Sequence, residues 1–252
     1  MKSSKKRLDS LLIDLKLVAS RSIAKSMILA GKVMVDNKVA DKVGELTKID
    51  ASIRVKASKS NFVSRGGEKL EHGLKTFQID PAGKICLDIG ASTGGFTDLL
   101  LKYKAKKVWA VDVGYNQLDY RLREDSRVVS LERTNARTTD FKSLISDKIE
   151  LIVIDVSFIS LKLALIPSLE SLEEDGTIVA LLKPQFEVGR EKVRRKGVVK
   201  DKIAIDNVIK ELITFFEANG LSFNGITESP IKGAKSKNTE YLLHLKKNKI
   251  LK

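Results

Sequence analysis

Residues 85–97 read ICLDIGASTGGFT. A short apolar strand over 85–89 runs into a turn with glycines at 90, 94 and 95, and a helical pattern over 96–103 follows. A strand that passes through a glycine-rich turn into a helix is the opening unit of a parallel α/β sheet. The pattern repeats downstream. Further strands are predicted over 108–113, 127–131, 149–154 and 177–182, with helical segments between them, notably 157–172 and 201–219. The expected architecture is α/β and Rossmann-like, a parallel sheet covered on both faces with its binding crevice at the carboxyl ends of the strands.

The charge is unevenly placed. The 252 residues carry 46 Lys+Arg against 32 Asp+Glu, a balance of +14, and residues 1–60 alone hold 14 basic against 6 acidic groups. So cationic a segment points to a polyanionic partner. An apolar fraction of 42% excludes a wholly disordered chain. Cys86 is the single cysteine, which excludes an internal disulfide. His72 and His244, the two histidines, stand too far apart in sequence to suggest a zinc site. No apolar signal core follows the basic start, and the most apolar stretch, 151–161, is short and contains Asp155, so neither export nor a membrane span is expected.

Within the basic segment, Leu8, Leu11, Leu12 and Leu15 fall on one helical face. Ser20 can cap a second helix with Ile23, Ala24, Met27 and Ile28 as its buried stripe and Gly31 as its stop. Arg21, Lys25 and Lys32 lie within about 40° on a helical wheel, and Lys5, Lys6 and Arg7 stand nearby. A cation at a helix start does nothing for the helix dipole, so phosphate contacts explain Arg21 better than helix stability does. A hairpin is expected about Asp36-Asn37, with another strand over 52–55. Polar residues around KASKS mark a linker, placed at 59–64 between a domain of 1–58 and one of 65–252.

The glycine-rich loop selects a cofactor class. Its spacing fits neither the dinucleotide fingerprint nor a P-loop. Asp88 would meet a pyrophosphate with like charge but suits the ammonium of a methionine moiety, so S-adenosylmethionine is favoured over NAD. Gly90, Ser92 and Gly94 belong to this cofactor loop, and Asp112, 22 residues after Gly90, is placed for a ribose diol. Asn135 either reaches the adenine or forms a plain turn. Asp155 and Lys183 each follow an apolar strand directly, which hangs a carboxylate and an ammonium over one crevice. Segment 186–200 adds Arg190, Lys192, Arg194, Arg195 and Lys196, either a solvated loop or a clamp on RNA. Phe186 either stacks on a flipped nucleotide or packs in the core, and Trp109 and Cys86 read as core.

Two resemblances follow from the motifs. Over about residues 5–57, Leu-Asp, Ser-Arg and Ala-Gly-Lys-Val before a hairpin resemble the small RNA-binding domain named after the fourth small-subunit ribosomal protein. Together with SRGGEKL at 64–70, the 90–97 loop, Asp155, LLKPQFEVG and NTEYL at 238–242, the chain resembles the TlyA family, ribosomal RNA methyltransferases with an FtsJ-like catalytic domain, some of which carry the label haemolysin. The resemblance implies methylation of a cytidine ribose 2′-hydroxyl by a Lys-Asp-Lys-Glu set, which falls here on Lys69, Asp155, Lys183 and Glu240. A ribose hydroxyl must lose its proton as it attacks, and an ammonium yields its own proton more readily beside a second cation and away from water. Lys183 is assigned as the base, Lys69 as the holder of the hydroxyl or its phosphate, and Asp155 and Glu240 as the groups that orient them.

The expected protein is therefore a cytoplasmic monomer that uses S-adenosylmethionine on ribosomal RNA or ribosomal subunits, with no membrane and no metal. Arg7, Arg21, Lys25, Lys32, Arg65, Arg190, Arg194 and Arg195 are its expected RNA contacts. The alternatives are a non-catalytic RNA-binding or ribosome-assembly protein, and a haemolysin-like membrane-active protein.

Overall fold

The computed structural model describes residues 4–18, 21–29, 31–55, 61–194, 197–233 and 237–249, without the side chains of residues 22, 26, 29 and 190. Ser20, Arg195 and Lys196 lie outside the described residues. The chain divides into two compact units, 1–61 and 62–252.

In the small unit, β1 (Lys5–Arg7) leads into α1 (Leu8–Asp14) and α2 (Arg21–Leu29), followed by β2 (Val33–Val35), β3 (Lys38–Val39), β4 (Leu46–Lys48) and β5 (Ile53–Val55). Leu8, Leu12, Ala24, Ile28, Val33 and Ala40 close its core. The hairpin turns at Asp36 and Asn37, whose φ values of 47° and 64° suit the short polar side chains that tolerate left-handed backbone. The strand expected over 52–55 is β5, which pairs with β2, and β1 pairs with β4, which the sequence pattern did not suggest.

Two expectations fail here. Leu15 is not on the apolar face: α1 stops at Asp14 and leaves Leu15 45% exposed as its C-cap. Lys32 shares no helical face with Arg21 and Lys25, because α2 stops at Leu29 and Gly31 turns the chain at φ 65°.

The large unit holds α3 (Gly66–Thr76), β6 (Ile85–Ile89), α4 (Gly95–Lys102), β7 (Lys107–Val111), α5 (Tyr120–Arg123), β8 (Val128–Leu131), α6 (Phe141–Leu144), β9 (Ile149–Ile154), α7 (Leu161–Leu165), β10 (Leu172–Leu182), α8 (Lys202–Ala218), β11 (Leu221–Glu228) and β12 (Tyr241–Lys247). One seven-stranded sheet runs in the order β11-β12-β10-β9-β6-β7-β8. Its β10, β9, β6, β7 and β8 are parallel, whereas β12 is antiparallel to both β10 and β11. From β6 the chain builds outward to β8, then returns to lay β9 on the other side of β6. The crevice at that reversal, beyond the strand carboxyl ends, is where such sheets bind ligands.

Strand alternation sorts the core onto both faces. Leu87, Ile89, Ile152 and Ile154 pack on one side with Phe141 and Phe216, while Cys86, Leu151 and Val153 pack on the other with Leu70, Leu74 and Leu99. Trp109 is 7% exposed and Cys86 fully buried, as their strand positions suggested. The expected helix over 157–172 is instead the five-residue α7 and a 3-10 turn, Ile166–Ser168, that includes Pro167. Proline removes a helical N–H and clashes with the preceding turn, so the helix cannot run on. β11 and β12 were not anticipated; Leu242, Leu243 and Leu245 are buried because β12 lies inside the sheet with both faces covered.

The large unit begins at Phe62, before the end assigned to the linker. Phe62 is 6% exposed, and the Val63 N–H donates to Asp98 Oδ2 at 2.8 Å. A Cβ on Gly67 would lie 2.3 Å from Phe62 Cγ, near the root of that side chain where it cannot swing away. Gly67→Ala is therefore expected to destabilise the protein by about 1–3 kcal/mol in urea unfolding, and to cost nothing further once Phe62 is also alanine. A Gly67→Ala protein as stable as the parent would contradict this packing.

Candidate functional site

Three chain segments converge at the reversal point. The loop after β6 brings Gly90, Ala91, Ser92 and Thr93, the turn after β9 brings Asp155 and Ser157, and the end of β10 brings Lys183. They line a cavity of about 290 Å³ together with Ser64, Arg65, Gly66 and Lys69 from the start of α3. Gly90 has φ 85°, and a Cβ there would stand 2.5 Å from the Asp155 carbonyl oxygen, so only glycine lets these two turns cross.

Both lysines are paired. Lys183 Nζ lies 2.5 Å from Asp155 Oδ1 and donates to Ser157 Oγ at 2.9 Å. Lys69 Nζ donates to Glu240 Oε2 at 2.5 Å across 171 residues of sequence. Glu240 is 3% exposed and holds Lys69 from behind, immediately before β12. The two cations thus face one half-enclosed space, each fixed by its own carboxylate. Such a site can hold a hydroxyl or a phosphate and take up a proton.

A second, narrower cleft continues past Ala91 and Ser92 to Asp112, Gln117, Leu118, Ser130 and Glu132. Asp112 Oδ2 accepts the Ser92 N–H at 2.8 Å, and its Oδ1 accepts the Gly114 N–H at 2.6 Å, so the carboxylate is fixed by backbone at the cleft. The two spaces share Ala91 and Ser92 in their walls, with the Asp112 carboxylate lining one and the two lysines the other. A Cβ on Gly95 would lie 2.2 Å from Ser64 Oγ and 3.0 Å from the Gly67 nitrogen, so a side chain here would displace the Ser64 hydroxyl from the cavity wall.

Residues 62–247 match the FtsJ-like methyltransferase family. The chain belongs to that family. Residues 6–51 match the S4 domain, so the FtsJ-like domain here is joined to an N-terminal S4 domain. The chain is 42% identical over 244 residues to the 16S/23S rRNA (cytidine-2'-O)-methyltransferase TlyA of Mycobacterium tuberculosis, covering 95% of this chain and 89% of the relative. It is 47% identical over 230 residues to Hemolysin A of Brachyspira hyodysenteriae, covering 89% and 93%. A solved structure of a haemolysin-labelled protein from Streptococcus thermophilus superposes with a TM-score of 0.75 at 40% identity, covering 98% of this chain and 90% of that one.

Within this FtsJ-like domain several expected cofactor residues stand elsewhere than the sequence suggested. Asp88 lines neither cleft. It is fully buried under the loop, accepts the Thr97 hydroxyl at 2.6 Å through Oδ2, and leaves Oδ1 without a partner. Burial pushes its carboxyl up to about 7, against the Thr97 hydrogen bond that favours the anion. Gly94, at φ 94°, faces Leu118 and Leu122 and not the cavity, and caps α4. Asn135 does not reach either cleft; its Oδ1 accepts the Arg137 N–H at 3.0 Å, a plain Asx turn.

The basic candidates divide similarly. Arg65 lines the cavity and is exposed. Arg194 is exposed beside a backbone bridge to Val198, and Arg190 sits in a 3-10 turn, Arg190–Lys192. Arg7 pairs with Asp9, Arg21 is exposed and donates to Ser10 Oγ, and Lys25 is exposed on α2. Among the described residues no cluster of potential metal ligands occurs.

Two residues were missed. Ser157 lines the cavity, as does Gly95 of the glycine-rich loop, and Phe158 is 89% exposed at φ 67° with its ring 5.1 Å from that of Phe186. The signal for Ser157 and Phe158 was their place two and three residues after Asp155, in the turn that follows an apolar strand.

Asp88 gives a pH dependence of definite sign. Its folded-state pKa, about 7, exceeds its ordinary 3.8, so its contribution to stability is complete below about 4 and is lost as pH rises to about 7. The stability difference between the parent and Asp88→Asn, read by urea unfolding of the cofactor-free protein, is expected to move against the parent across that window. A difference independent of pH would contradict the burial of an ionisable group there.

Proposed function

We propose that this protein transfers the methyl group of S-adenosylmethionine to the ribose 2′-hydroxyl of a cytidine in ribosomal RNA. The carrying observation is the cavity in which Lys183–Asp155 and Lys69–Glu240 face one space beside the glycine loop. The TlyA relatives are rRNA (cytidine-2'-O)-methyltransferases by name, and the S4 domain supports RNA as the substrate.

Ser92 and Asp112 would hold the cofactor's ribose, with Gly90 and Gly95 admitting it close to the backbone. Once bound, it supplies a methyl group on a positively charged sulfur. Lys69, anchored by Glu240, holds the target hydroxyl or the adjoining phosphate. Lys183 is the base that takes the hydroxyl proton as the oxygen attacks, and Asp155 and Ser157 fix where its nitrogen stands. Lys69 is largely withdrawn from water, so its electrostatic effect on a developing oxyanion is strong. Fixing the hydroxyl beside the methyl donor supplies much of the remaining acceleration.

RNA would be gripped by Arg21 and Lys25 of the S4 domain and by Arg65 and the basic segment of the methyltransferase domain. The protein is proposed to act as a single chain in the cytoplasm, where ribosomes are. Among the described residues no helix is long and apolar enough to cross a membrane.

Transfer of labelled methyl groups to rRNA is expected to fall by about 10²–10⁴-fold in Lys183→Ala with cofactor affinity preserved; normal turnover by that variant would overturn the role of Lys183. In the full-length protein, replacing Arg21 and Lys25 with alanine is expected to weaken RNA binding and to reduce the slope of log K against log salt by about 1 for each phosphate no longer neutralised. An unchanged slope would remove the S4 helix from the RNA interface.

A further inference from the structure

β10 ends at Leu182, and after Lys183 the chain carries the basic segment and is buried again at Val199, ahead of α8. One buried side chain ties both ends of that excursion. Asn238 is 5% exposed; its Nδ2 donates to Gln185 Oε1 at 2.9 Å and to the Gly197 carbonyl at 2.8 Å. Its Oδ1 accepts the Val199 N–H at 3.0 Å. Gln185 stands two residues after Lys183, and Asn238 stands two residues before Glu240, which holds Lys69. The outgoing limb is pinned separately by Glu187, whose carboxylate accepts the Ser160 hydroxyl at 2.7 Å and the Leu161 N–H at 2.8 Å, fastening it to the turn that carries Asp155.

The platform beneath Asn238 is itself held. Its carbonyl accepts the Gly233 N–H at 3.0 Å, and the Glu240 carbonyl accepts the Ser229 N–H at 2.8 Å. A carboxamide can donate two hydrogen bonds and accept others at once, which a hydroxyl, a carboxylate or an ammonium cannot do in this arrangement. Each buried bond broken here leaves a partner unpaired, so the arrangement is costly to loosen.

We infer that Asn238 is a positioning residue that locks the basic segment to the Lys183 loop and to the Glu240 platform, so that RNA seated on the segment is brought into register with both lysines. The inference rests on the proposed ribose methylation. It requires that Asn238 act on the rate of transfer and not on the binding of either reactant: the basic groups still attract RNA when the lock is open, and the glycine loop and Asp112 are untouched. Misplacement of a reacting group by about 1 Å suffices to cost on the order of a hundredfold in rate.

The test uses full-length protein, labelled S-adenosylmethionine and rRNA. Asn238→Asp keeps the shape and the acceptor for Val199 but loses both donors; Gln185→Ala removes one partner and leaves the bonds to residues 197 and 199. Asn238→Asp is expected to lower kcat by about tenfold to a hundredfold, with dissociation constants for cofactor and RNA within about twofold of the parent. Gln185→Ala is expected to lower kcat by a smaller factor, and the double variant to fall little below Asn238→Asp, because both changes remove the same bond. An unchanged kcat in Gln185→Ala would overturn the inference, as would losses in Asn238→Asp that appear equally in cofactor affinity and thermal stability. A parent protein unable to methylate rRNA at all is a different result: it removes the ribose-methylation reading on which the lock depends.

Discussion

The site is built on a close crossing of two backbones. Gly90 passes over the Asp155 carbonyl at a distance that no side chain would allow, and this brings the turn after β6 against the turn after β9. Asp155 then stands beside the glycine loop, and Lys183, at the end of the neighbouring β10, can reach its carboxylate. Without that approach the cavity would open and the Lys183–Asp155 pair would be a solvent-exposed ion pair of small energetic consequence. Withdrawn from water and fixed by Ser157, it becomes a directed chemical group.

The second pair extends the same logic across the sheet. Lys69 begins in the first turns of α3 and Glu240 precedes β12, elements far apart in sequence that meet only because β12 inserts antiparallel beside β10. The antiparallel addition of β12 and β11 to an otherwise parallel sheet therefore serves the site as well as the core. It also carries Asn238, through which the basic segment is fastened to the same edge.

How legible this was in the sequence depended on range. β6 and β9 have the bounds read from their apolar runs, because parallel strands buried on both faces leave continuous hydrophobic stretches. Asp155 and Lys183 were visible as polar residues directly after such stretches. Lys69 and Glu240 were not visible from local pattern, since their pairing depends on tertiary contact, and only the family resemblance singled them out. The fate of Asp88 was hidden because a carboxylate inside an apolar strand reads equally well as a ligand or as a buried group satisfied by Thr97. Of the two readings of Asn135, the structure shows the turn, an Asx turn that its own side chain completes. Lys32 failed because Gly31 ends the helix that its spacing assumed.

The central claim is that the acceptor is a ribose 2′-oxygen. A free 2′-hydroxyl is required for alkaline cleavage of the adjoining phosphodiester, and a methylated one blocks it. Ribosomal RNA treated with the purified protein and S-adenosylmethionine, then hydrolysed in alkali, should yield one or a few resistant dinucleotides containing a methylated cytidine, absent when the protein is omitted. Label carried entirely on a base, or no resistant product with any ribosomal RNA or subunit, would contradict the account.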